Sequence, residues 1–329
     1  MNQRRKFIRQ AGLGGLATGL LPSLSHSLFA QPAKENAYPI SLAQFSLASE
    51  FFTGQHNTLE FPARAKNEFG VDIVEYVSMF FADKATDASF FKELKMRTDD
   101  LGVRNHLIMV DDENIAELDK AARLHAVESH HKWVDAAKML GCSSIRVNLG
   151  SIDQEGSAEA VAEAALEGYG KLLEYGDQAD MNIIVENHVG HSCNGKWLAG
   201  IMKEVNHPRA GVLPDFGNFC VKRTLPETRD IAGYMNTKCL EQYDMYLGVE
   251  ELMPYAKGVS AKTHKFDSNG DEVEIDFGRM FSIIRKSGFE GIVGIEYEGG
   301  LMHLQGIDGY VSNEEGILAT KKLIEKSMG

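Results

Sequence analysis

The sequence predicts a single (β/α)8 barrel, and three observations support this fold class. Strand-like and helix-like segments alternate eight times from residue 38 onwards. The length of 329 residues accommodates one such barrel, which usually takes about 250 residues. Hydrophobic residues make up 43% of the chain and charged residues 25%, as expected for a globular protein with a sizeable core. Strict alternation indicates a parallel sheet, and eight repeats favour a closed barrel over an open sheet.

The predicted strands are short aliphatic runs, and the predicted helices follow them with apolar residues at helical spacing. The strands cover residues 40–47, 71–77, 104–110, 144–149, 182–188, 211–216, 258–264 and 291–297. The helices cover residues 59–69, 88–101, 115–140, 158–179, 196–205, 247–256, 277–286 and 314–326. Asp276 is a predicted N-cap, and Gly70, Gly102 and Gly141 are predicted to end helices. The barrel domain is therefore expected over residues 39–329.

The longest interruption of this alternation is the segment 219–244, between the sixth strand and the sixth helix. Loops that follow the strands of a barrel line its catalytic rim, and long loops are commonly functional. We therefore predict that this segment is a lid.

The first 30 residues have the pattern of an export signal, and a short linker at 31–38 is predicted to follow it. The pair Arg4 and Arg5 lies in a basic region, and residues 11–30 are uncharged. Paired arginines before an apolar stretch indicate a twin-arginine signal, here with cleavage after Ala30. The stretch is short and rich in glycine for a membrane span, so no stable membrane anchor is expected. The predicted location of the mature protein is the periplasm.

The net charge argues against one class of partner. The formal charge of −13 becomes −17 when the four basic residues of the signal, Arg4, Arg5, Lys6 and Arg9, are removed. A domain this acidic repels phosphate backbones, so no nucleic-acid partner is expected. Association into a homo-oligomer stays open.

The four cysteines show no CxxC spacing and are too few to form a disulfide framework for a core of this size. They are Cys142, Cys193, Cys220 and Cys239. We expect free thiols, because twin-arginine substrates usually fold before export. A Cys220–Cys239 bond is the alternative.

Four ionisable residues end the last four predicted strands: Glu186, Asp215, His264 and Glu296. The C-terminal ends of barrel strands converge on one face of the barrel. Buried carboxylates are costly unless a cation compensates their charge. Three carboxylates and one imidazole form an oxygen-rich ligand set that suits Mn²⁺ or Mg²⁺, with Zn²⁺ and Co²⁺ as further candidates. The sequence therefore predicts one divalent-metal site formed by these four residues.

Residues two positions away from a ligand share its face of the strand. His188 lies two residues after Glu186, and Lys262 lies two residues before His264. Both are predicted to contact substrate, and a hydrogen bond that supports the ligands is the alternative for His188. Glu75 ends the second strand and is either a substrate contact or an ordinary salt bridge at a strand end.

The strand-end motifs IIVENH, VLPDFGN, VSAKTH and GIEYEG, in this order, resemble those of the xylose isomerase-like TIM barrel superfamily. Within that superfamily they are similar to the proteins called sugar phosphate isomerase/epimerase. The resemblance extends over roughly residues 40–326. It implies a TIM barrel that acts on a sugar or keto-sugar with one divalent ion.

The resemblance also implies a mechanism. In related ketose 3-epimerases a Glu, an Asp, a His and a Glu bind the ion, and the two glutamates transfer the proton. Glu186 and Glu296 would thus be the catalytic pair of a sugar isomerase or epimerase that acts through a metal-stabilised enediolate. A carboxylate can remove a proton that a neighbouring polarised carbonyl has made acidic. The epimerases have a histidine three residues after the metal-binding aspartate, and the corresponding residue here is Asn218, a predicted substrate contact.

Two other functions remain open. The motif from Glu186 to His188 is also similar to that of subunits that cleave 3-keto-glycosides by elimination, in which His188 would be the base. A non-catalytic periplasmic sugar-binding protein is the third hypothesis. The apurinic endonucleases built on the same barrel need additional ligands for three zinc ions, and the sequence lacks them. An unphosphorylated sugar is expected, because no cluster of Lys and Arg residues follows the seventh and eighth strands.

Overall fold

A sheet of eight parallel strands lies at the centre of the computed structural model, which describes residues 38–111, 113–153, 155–228, 233 and 236–329. The predicted signal peptide and nearly all of the predicted linker lie outside the described residues. The strands in the described part are β1 (Ile40–Ala43), β2 (Ile73–Val77), β3 (Arg104–Met109), β4 (Ser144–Val147), β5 (Asn182–Glu186), β6 (Ala210–Leu213), β7 (Cys220–Arg223), β8 (Cys239–Gln242), β9 (Val259–Thr263) and β10 (Val293–Tyr297).

The parallel sheet curls into a nearly closed barrel. Its strand order is β6-β5-β4-β3-β2-β1-β10-β9, so that β6 and β9 are the two ends. Isolated bridges join these ends, with Val212 opposite Ala256 and Asp215 opposite Ser260. The Ser260 amide donates to the carbonyl oxygen of Pro214 at 2.9 Å. The predicted (β/α)8 fold class is therefore confirmed.

Helices surround the barrel in the predicted order. Those in the described residues are α1 (Ala48–Phe52), α2 (Phe61–Phe69), α3 (Ala88–Leu101), α4 (Lys120–Leu140), α5 (Ala158–Ala179), α6 (Gly195–Val205), α7 (Met245–Leu252), α8 (Phe277–Ser287), α9 (Gly299–Leu304) and α10 (Asn313–Met328). Asp276 caps α8 as predicted, since its side chain accepts from the Arg279 amide. Among these helices none has the length and apolar character that crossing a bilayer requires.

Most of the observed strands end before their predicted C-terminal limits. The first strand is predicted to reach residue 47, but Gln44–Leu47 form a 3-10 turn. The Gln44 side chain takes the place of the strand hydrogen bonds that end here. Its Oε1 accepts from the Val77 amide at 3.0 Å, and its Nε2 donates to Thr58 at 3.0 Å. Early strand ends leave the following side chains outside the sheet, where they line the mouth of the barrel.

The predicted lid segment contains a hairpin closed by a disulfide. Strands β7 and β8 pair antiparallel, and Cys220 is bonded to Cys239. The expectation of free thiols is therefore wrong for this pair. Strand pairing brings their Cα atoms to 5.7 Å, a separation that a disulfide spans. Cys142 and Cys193 are free and buried.

Two apolar layers determine where the polar site lies. The large outer layer fills the space between strands and helices and includes Trp133, Tyr169 and Phe281. A small inner layer faces the barrel interior and consists of Ala43, Val77, Leu107, Met109, Ile184 and Leu213. Because side chains alternate along a strand, the residues two positions after Ile184 and Leu213 also face inward, nearer the mouth. These residues are Glu186 and Asp215.

Two glycines of α5 test how closely this helix approaches the segment before α4. A Cβ atom at Gly168 would lie 1.9 Å from the carbonyl oxygen of Ile115, whereas one at Gly170 would have no atom within 4 Å. Gly168→Ala should lower the free energy of unfolding by about 1–3 kcal/mol, the usual cost of overpacking. Gly170→Ala, the matched control, should raise it by about 0.5–1 kcal/mol through helix propensity. Denaturant unfolding measures both, and equal stabilities of the two variants would contradict the described contact.

Candidate active site

A cavity of about 1140 Å³ opens at the C-terminal ends of the barrel strands. Its buried end is polar and includes Arg146, Lys262 and Glu296, each less than 5% exposed. Its mouth includes Phe52 and Met79, which are 43% and 44% exposed. The cavity thus lies where barrel folds place their active sites.

Three of the four predicted metal ligands meet at the buried end of this cavity. Glu186 ends β5, Asp215 follows β6 and Glu296 lies on β10, and one carboxylate oxygen from each lies within 4.8 Å of the other two. Glu296 lines the cavity, whereas Glu186 and Asp215 are fully buried behind Asn218 and Lys262. We call Glu186, Asp215 and Glu296 the carboxylate triad.

Asp215 is held in place from both sides. Its Oδ1 accepts from the backbone amides of Gly217 at 2.8 Å and Asn218 at 2.9 Å, and its Oδ2 accepts from Ser260 Oγ at 2.7 Å. The buried side chain of Asn187 accepts from the Asp215 amide at 2.8 Å and donates to its carbonyl oxygen at 3.0 Å. The side chain and its backbone are therefore both fixed, which preorganises the triad.

Glu186 lies between an amide donor and a guanidinium group. Asn218 Nδ2 donates to its Oε1 at 3.1 Å. Arg146 Nε lies 2.8 Å from its Oε2, but outside hydrogen-bonding geometry, so no described residue donates a hydrogen bond to this oxygen. Burial raises the pKa of Glu186 to about 7, and the charge of Arg146 opposes this shift.

Lys262 enters the triad from β9. Its Nζ lies 3.6 Å from Asp215 Oδ2, 3.8 Å from Glu296 Oε2 and 2.7 Å from Glu298 Oε1. Burial lowers the pKa of this lysine, but the three carboxylates outweigh burial and raise it well above its usual value. Burial likewise raises the pKa of Glu298, but Lys262 and His264 outweigh it and lower the pKa. The ammonium and the Glu298 carboxylate therefore both stay charged.

His264 lies outside the carboxylate triad. Its Nε2 is 3.3 Å from Glu298 Oε2, and its side chain is 29% exposed. No His nitrogen in the described residues falls within the group of ligand atoms that the triad forms. The role of His264 as a fourth metal ligand therefore stays a prediction.

His188 and Asn218 line the cavity, as expected of substrate contacts. Burial lowers the pKa of His188 to about 4, with Asp111 opposing the shift, so the imidazole is neutral at pH 7. No described residue hydrogen-bonds to its buried Nδ1. Asp111 is itself bound by Arg146 and, at 2.9 Å, by Asn148 Nδ2.

Glu75 lies deeper in the barrel than the triad. Ser41 Oγ donates to its Oε1 at 2.6 Å, and burial raises its pKa to about 7. It is 1% exposed and is not among the residues that line the cavity. Contact between Glu75 and a substrate thus stays a prediction.

The sequence analysis missed four residues of the site: Asp111, Asn187, Ser260 and Glu298. Strand alternation could have indicated two of them, because Ser260 lies two residues before Lys262 and Glu298 two residues after Glu296. Asp111 follows β3 in the way that Asp215 follows β6. Asn187 gave no signal, because its role depends on the loop after the next strand.

The carboxylate triad fits a divalent cation. Its oxygens are hard ligands of the kind that Mn²⁺ and Mg²⁺ take, and Glu186 Oε2 has no hydrogen-bond donor in the described part of the chain. The hydroxyl of Ser260 lies 2.7 Å from Asp215 Oδ2 and 2.5 Å from Glu296 Oε2. A hydroxyl has a single proton and serves only one of these oxygens at a time. A cation bound among the carboxylates would balance the negative charge that the Ser260 hydroxyl leaves uncompensated.

Comparison with known protein families places the site in context. The family described as "Xylose isomerase-like TIM barrel" matches residues 63–324. No curated protein sequence matches the chain.

Solved structures share the fold at low sequence identity. One is an L-ribulose 3-epimerase, 16% identical with a TM-score of 0.64, covering 89% of this chain and 95% of that one. Another is the IolI protein with a bound zinc atom, 12% identical with a TM-score of 0.63, covering 88% and 98%. A third is the 3-keto-D-glucoside 4-epimerase YcjR from E. coli, 11% identical with a TM-score of 0.59, covering 88% and 100%. Identities this low establish the fold alone.

The metal site is tested by removing one carboxylate charge. Glu296→Gln should weaken Mn²⁺ binding at least about tenfold, since even residues that only support metal ligands are worth about 10- to 100-fold in affinity. Glu75→Gln is the matched control, because it makes the same change in a buried carboxylate outside the triad. Isothermal titration calorimetry gives both affinities. Similar losses in the two variants would show that the triad is not the binding site.

Metal affinity should also depend on pH. Because the pKa of Glu186 is raised to about 7, an ion that binds below pH 7 must displace a proton from this carboxyl group. We expect affinity to fall by up to about tenfold per pH unit between pH 7 and pH 5 and to level off above pH 8. The Glu186→Gln variant should bind the ion weakly, and its affinity should change less with pH. An affinity that stays constant from pH 8 to pH 5 in the unchanged protein would refute this assignment.

Proposed function

Because the chain belongs to the xylose isomerase-like TIM barrel family, we propose that it is a divalent-metal-dependent sugar isomerase or epimerase. The observation that carries the proposal is the carboxylate triad, three buried carboxylates within 4.8 Å of one another at the end of a cavity large enough for a sugar. The epimerases among the structural neighbours support the reaction class, and the zinc atom in the IolI structure supports a metal.

The triad and its neighbours suit proton transfer on a sugar ketone. A divalent ion, when bound, would polarise a ketone and the adjacent hydroxyl and so acidify the C–H bond between them. We assign Glu186 and Glu296 as the acid/base pair. Asn218 Nδ2 donates to Glu186 Oε1, and Glu186 Oε2 has no hydrogen-bond donor among the described residues. Without the ion, burial raises the pKa of this carboxyl group to about 7.

The positions of the two glutamates favour inversion at carbon. Glu186 lies on β5 and Glu296 on β10, and β6 and β9 lie between these strands at the barrel junction. The two carboxylates therefore lie on opposite sides of Asp215 and Lys262, and Glu296 is the one that lines the cavity. Removal of a proton by one and return by the other would change the configuration of that carbon. Lys262, His188 and Asn218 are the proposed contacts of the sugar oxygens.

Elimination from a 3-keto-glycoside is a second candidate, and His188 favours it. Its buried Nδ1 has no hydrogen-bond partner in the described residues, and a neutral imidazole beside the cavity can accept a proton. The cavity volume of about 1140 Å³ also exceeds the range of about 300–1000 Å³ that is usual for drug-sized ligands. A monosaccharide would leave much of it unfilled, whereas a glycoside could place its aglycone against Phe45, Phe52 and Met79.

We also propose that the protein acts in the periplasm. The paired Arg4 and Arg5 support export through a twin-arginine signal. The Cys220–Cys239 disulfide supports the same location, because disulfides persist in oxidising compartments and are rare in the cytosol.

Proton exchange with solvent tests the proposed chemistry. Metal-loaded protein should incorporate deuterium from D₂O at one carbon of its sugar, as seen by proton NMR across a panel of sugars and keto-sugars. Glu186→Gln and Glu296→Gln, compared at full metal occupancy, should slow exchange by about 10²- to 10⁴-fold. Glu163→Gln, an exposed change on α5, is the control and should leave the rate unchanged.

The same experiment separates the candidate functions. If His188→Asn is the most damaging variant and an aglycone is released from a 3-keto-glycoside, the elimination reaction replaces the epimerase. If sugars bind without exchange or elimination, the protein is a binding protein and the proposed enzyme activity is wrong.

A further inference from the structure

Lys262, and not His264, lies between carboxylates of the triad. It lies on β9 directly opposite Glu296 of β10 in the sheet register, while Ser260, two residues earlier, bridges to Asp215. Its ammonium group therefore lies between two members of the carboxylate triad, 3.6 Å from Asp215 Oδ2 and 3.8 Å from Glu296 Oε2. The side chain is 2% exposed. Lys262 is therefore a residue of the barrel interior, unlike the flexible lysines of a protein surface.

We infer that Lys262 is the resident counter-ion of the carboxylate triad and that a divalent ion binds in competition with its ammonium group, without His264 as a ligand. The inference rests on the proposed metal-dependent function and specifies which residues control its metal site.

Competition follows from the oxygens that the two cations would share. The triad oxygens nearest the ammonium, Asp215 Oδ2 and Glu296 Oε2, belong to two of the three carboxylates that would bind the ion. Two cations drawn to the same pair of oxygens repel each other, and burial reduces the screening of that repulsion. Removing the ammonium group should therefore tighten metal binding.

The hydrogen bonds of Lys262 show where its ammonium group would remain when an ion binds. Its shortest contact is the 2.7 Å hydrogen bond to Glu298 Oε1, on the side of the cavity mouth. Glu298 is not part of the triad and could keep this ion pair after Asp215 and Glu296 turn to the metal. Lys262 would then face a bound sugar next to the ion and could donate to a sugar oxygen.

The same glutamate accounts for the position of His264. The imidazole Nε2 lies 3.3 Å from Glu298 Oε2, so that Lys262 and His264 bind the two oxygens of one carboxylate. The His264 amide lies 3.4 Å from Glu272 Oε1, which ties the backbone to the loop before α8. His264 thus lies two residues nearer the mouth than Lys262, where it lines the cavity.

Mn²⁺ titration of the metal-stripped full chain tests the inference, with calorimetric affinities for three variants and no sugar present. Lys262→Met should bind Mn²⁺ at least about tenfold more tightly than the unchanged protein, a difference of about 1.4 kcal/mol. Lys262→Arg, which keeps the positive charge, and His264→Gln should each stay within about threefold of it. A loss of more than about tenfold in His264→Gln, or unchanged or weaker binding in Lys262→Met, would overturn the inference.

The outcome remains decisive if Lys262→Met does not fold. Removing a buried charge partner is strongly destabilising, so this variant is also purified with Mn²⁺ present, where the inference predicts a larger metal-induced rise in unfolding temperature than in the unchanged protein. If it cannot be obtained at all, His264→Gln alone decides, since retained affinity supports the inference and lost affinity overturns it.

Failure of the inference can be told apart from failure of the proposed function. If Lys262→Met binds Mn²⁺ more tightly and His264→Gln does not change the affinity, but no sugar exchanges protons, the inference stands and the proposed enzyme activity is wrong. Proton exchange that requires a His264-bound ion would confirm the activity and remove the inference.

Discussion

The burial of several carboxylates at one end of the barrel is the constraint on which the rest of the site depends. Glu186, Asp215 and Glu296 are all less than 5% exposed and lie close enough together to repel one another. Water cannot screen this repulsion at such depth, so fixed charges and donors must compensate it. Arg146, Lys262 and Ser260 provide part of the compensation, and a divalent ion would provide more.

Much of the fold and part of the site followed from local sequence patterns. The alternation of strands and helices predicted the barrel, and strand-end positions predicted the three carboxylates. Periodicity could not distinguish Lys262 from His264, because both face inward and only the depth of each side chain separates them. Both side chains also contact Glu298, which follows a different strand, β10. The sequence analysis expected free thiols and gave the Cys220–Cys239 bond only as the alternative. The bond depends on the pairing of β7 with β8, and the sequence pattern did not predict that pairing.

The cavity combines two different surfaces, and this division bears on the choice of substrate. Its buried end presents charged groups to a small polar molecule, whereas its mouth carries exposed aromatic and aliphatic side chains such as Phe52 and Met79. Sugars offer hydroxyl groups to the first surface and only their C–H faces to the second. The hairpin closed by the Cys220–Cys239 disulfide contributes Arg223 and Gln242 to the cavity wall. Differences in substrate within the family could therefore arise at the mouth without a change in the triad.

The position of a bound ion is the most direct test of this account. Crystals of the protein soaked with Mn²⁺ can be examined by anomalous diffraction at the manganese absorption edge, which identifies the ion and its ligands without reference to turnover. The account predicts one peak in contact with oxygens of Glu186, Asp215 and Glu296, with Lys262 Nζ bound to Glu298. A peak ligated by His264, or no peak at the triad under saturating Mn²⁺, would contradict it.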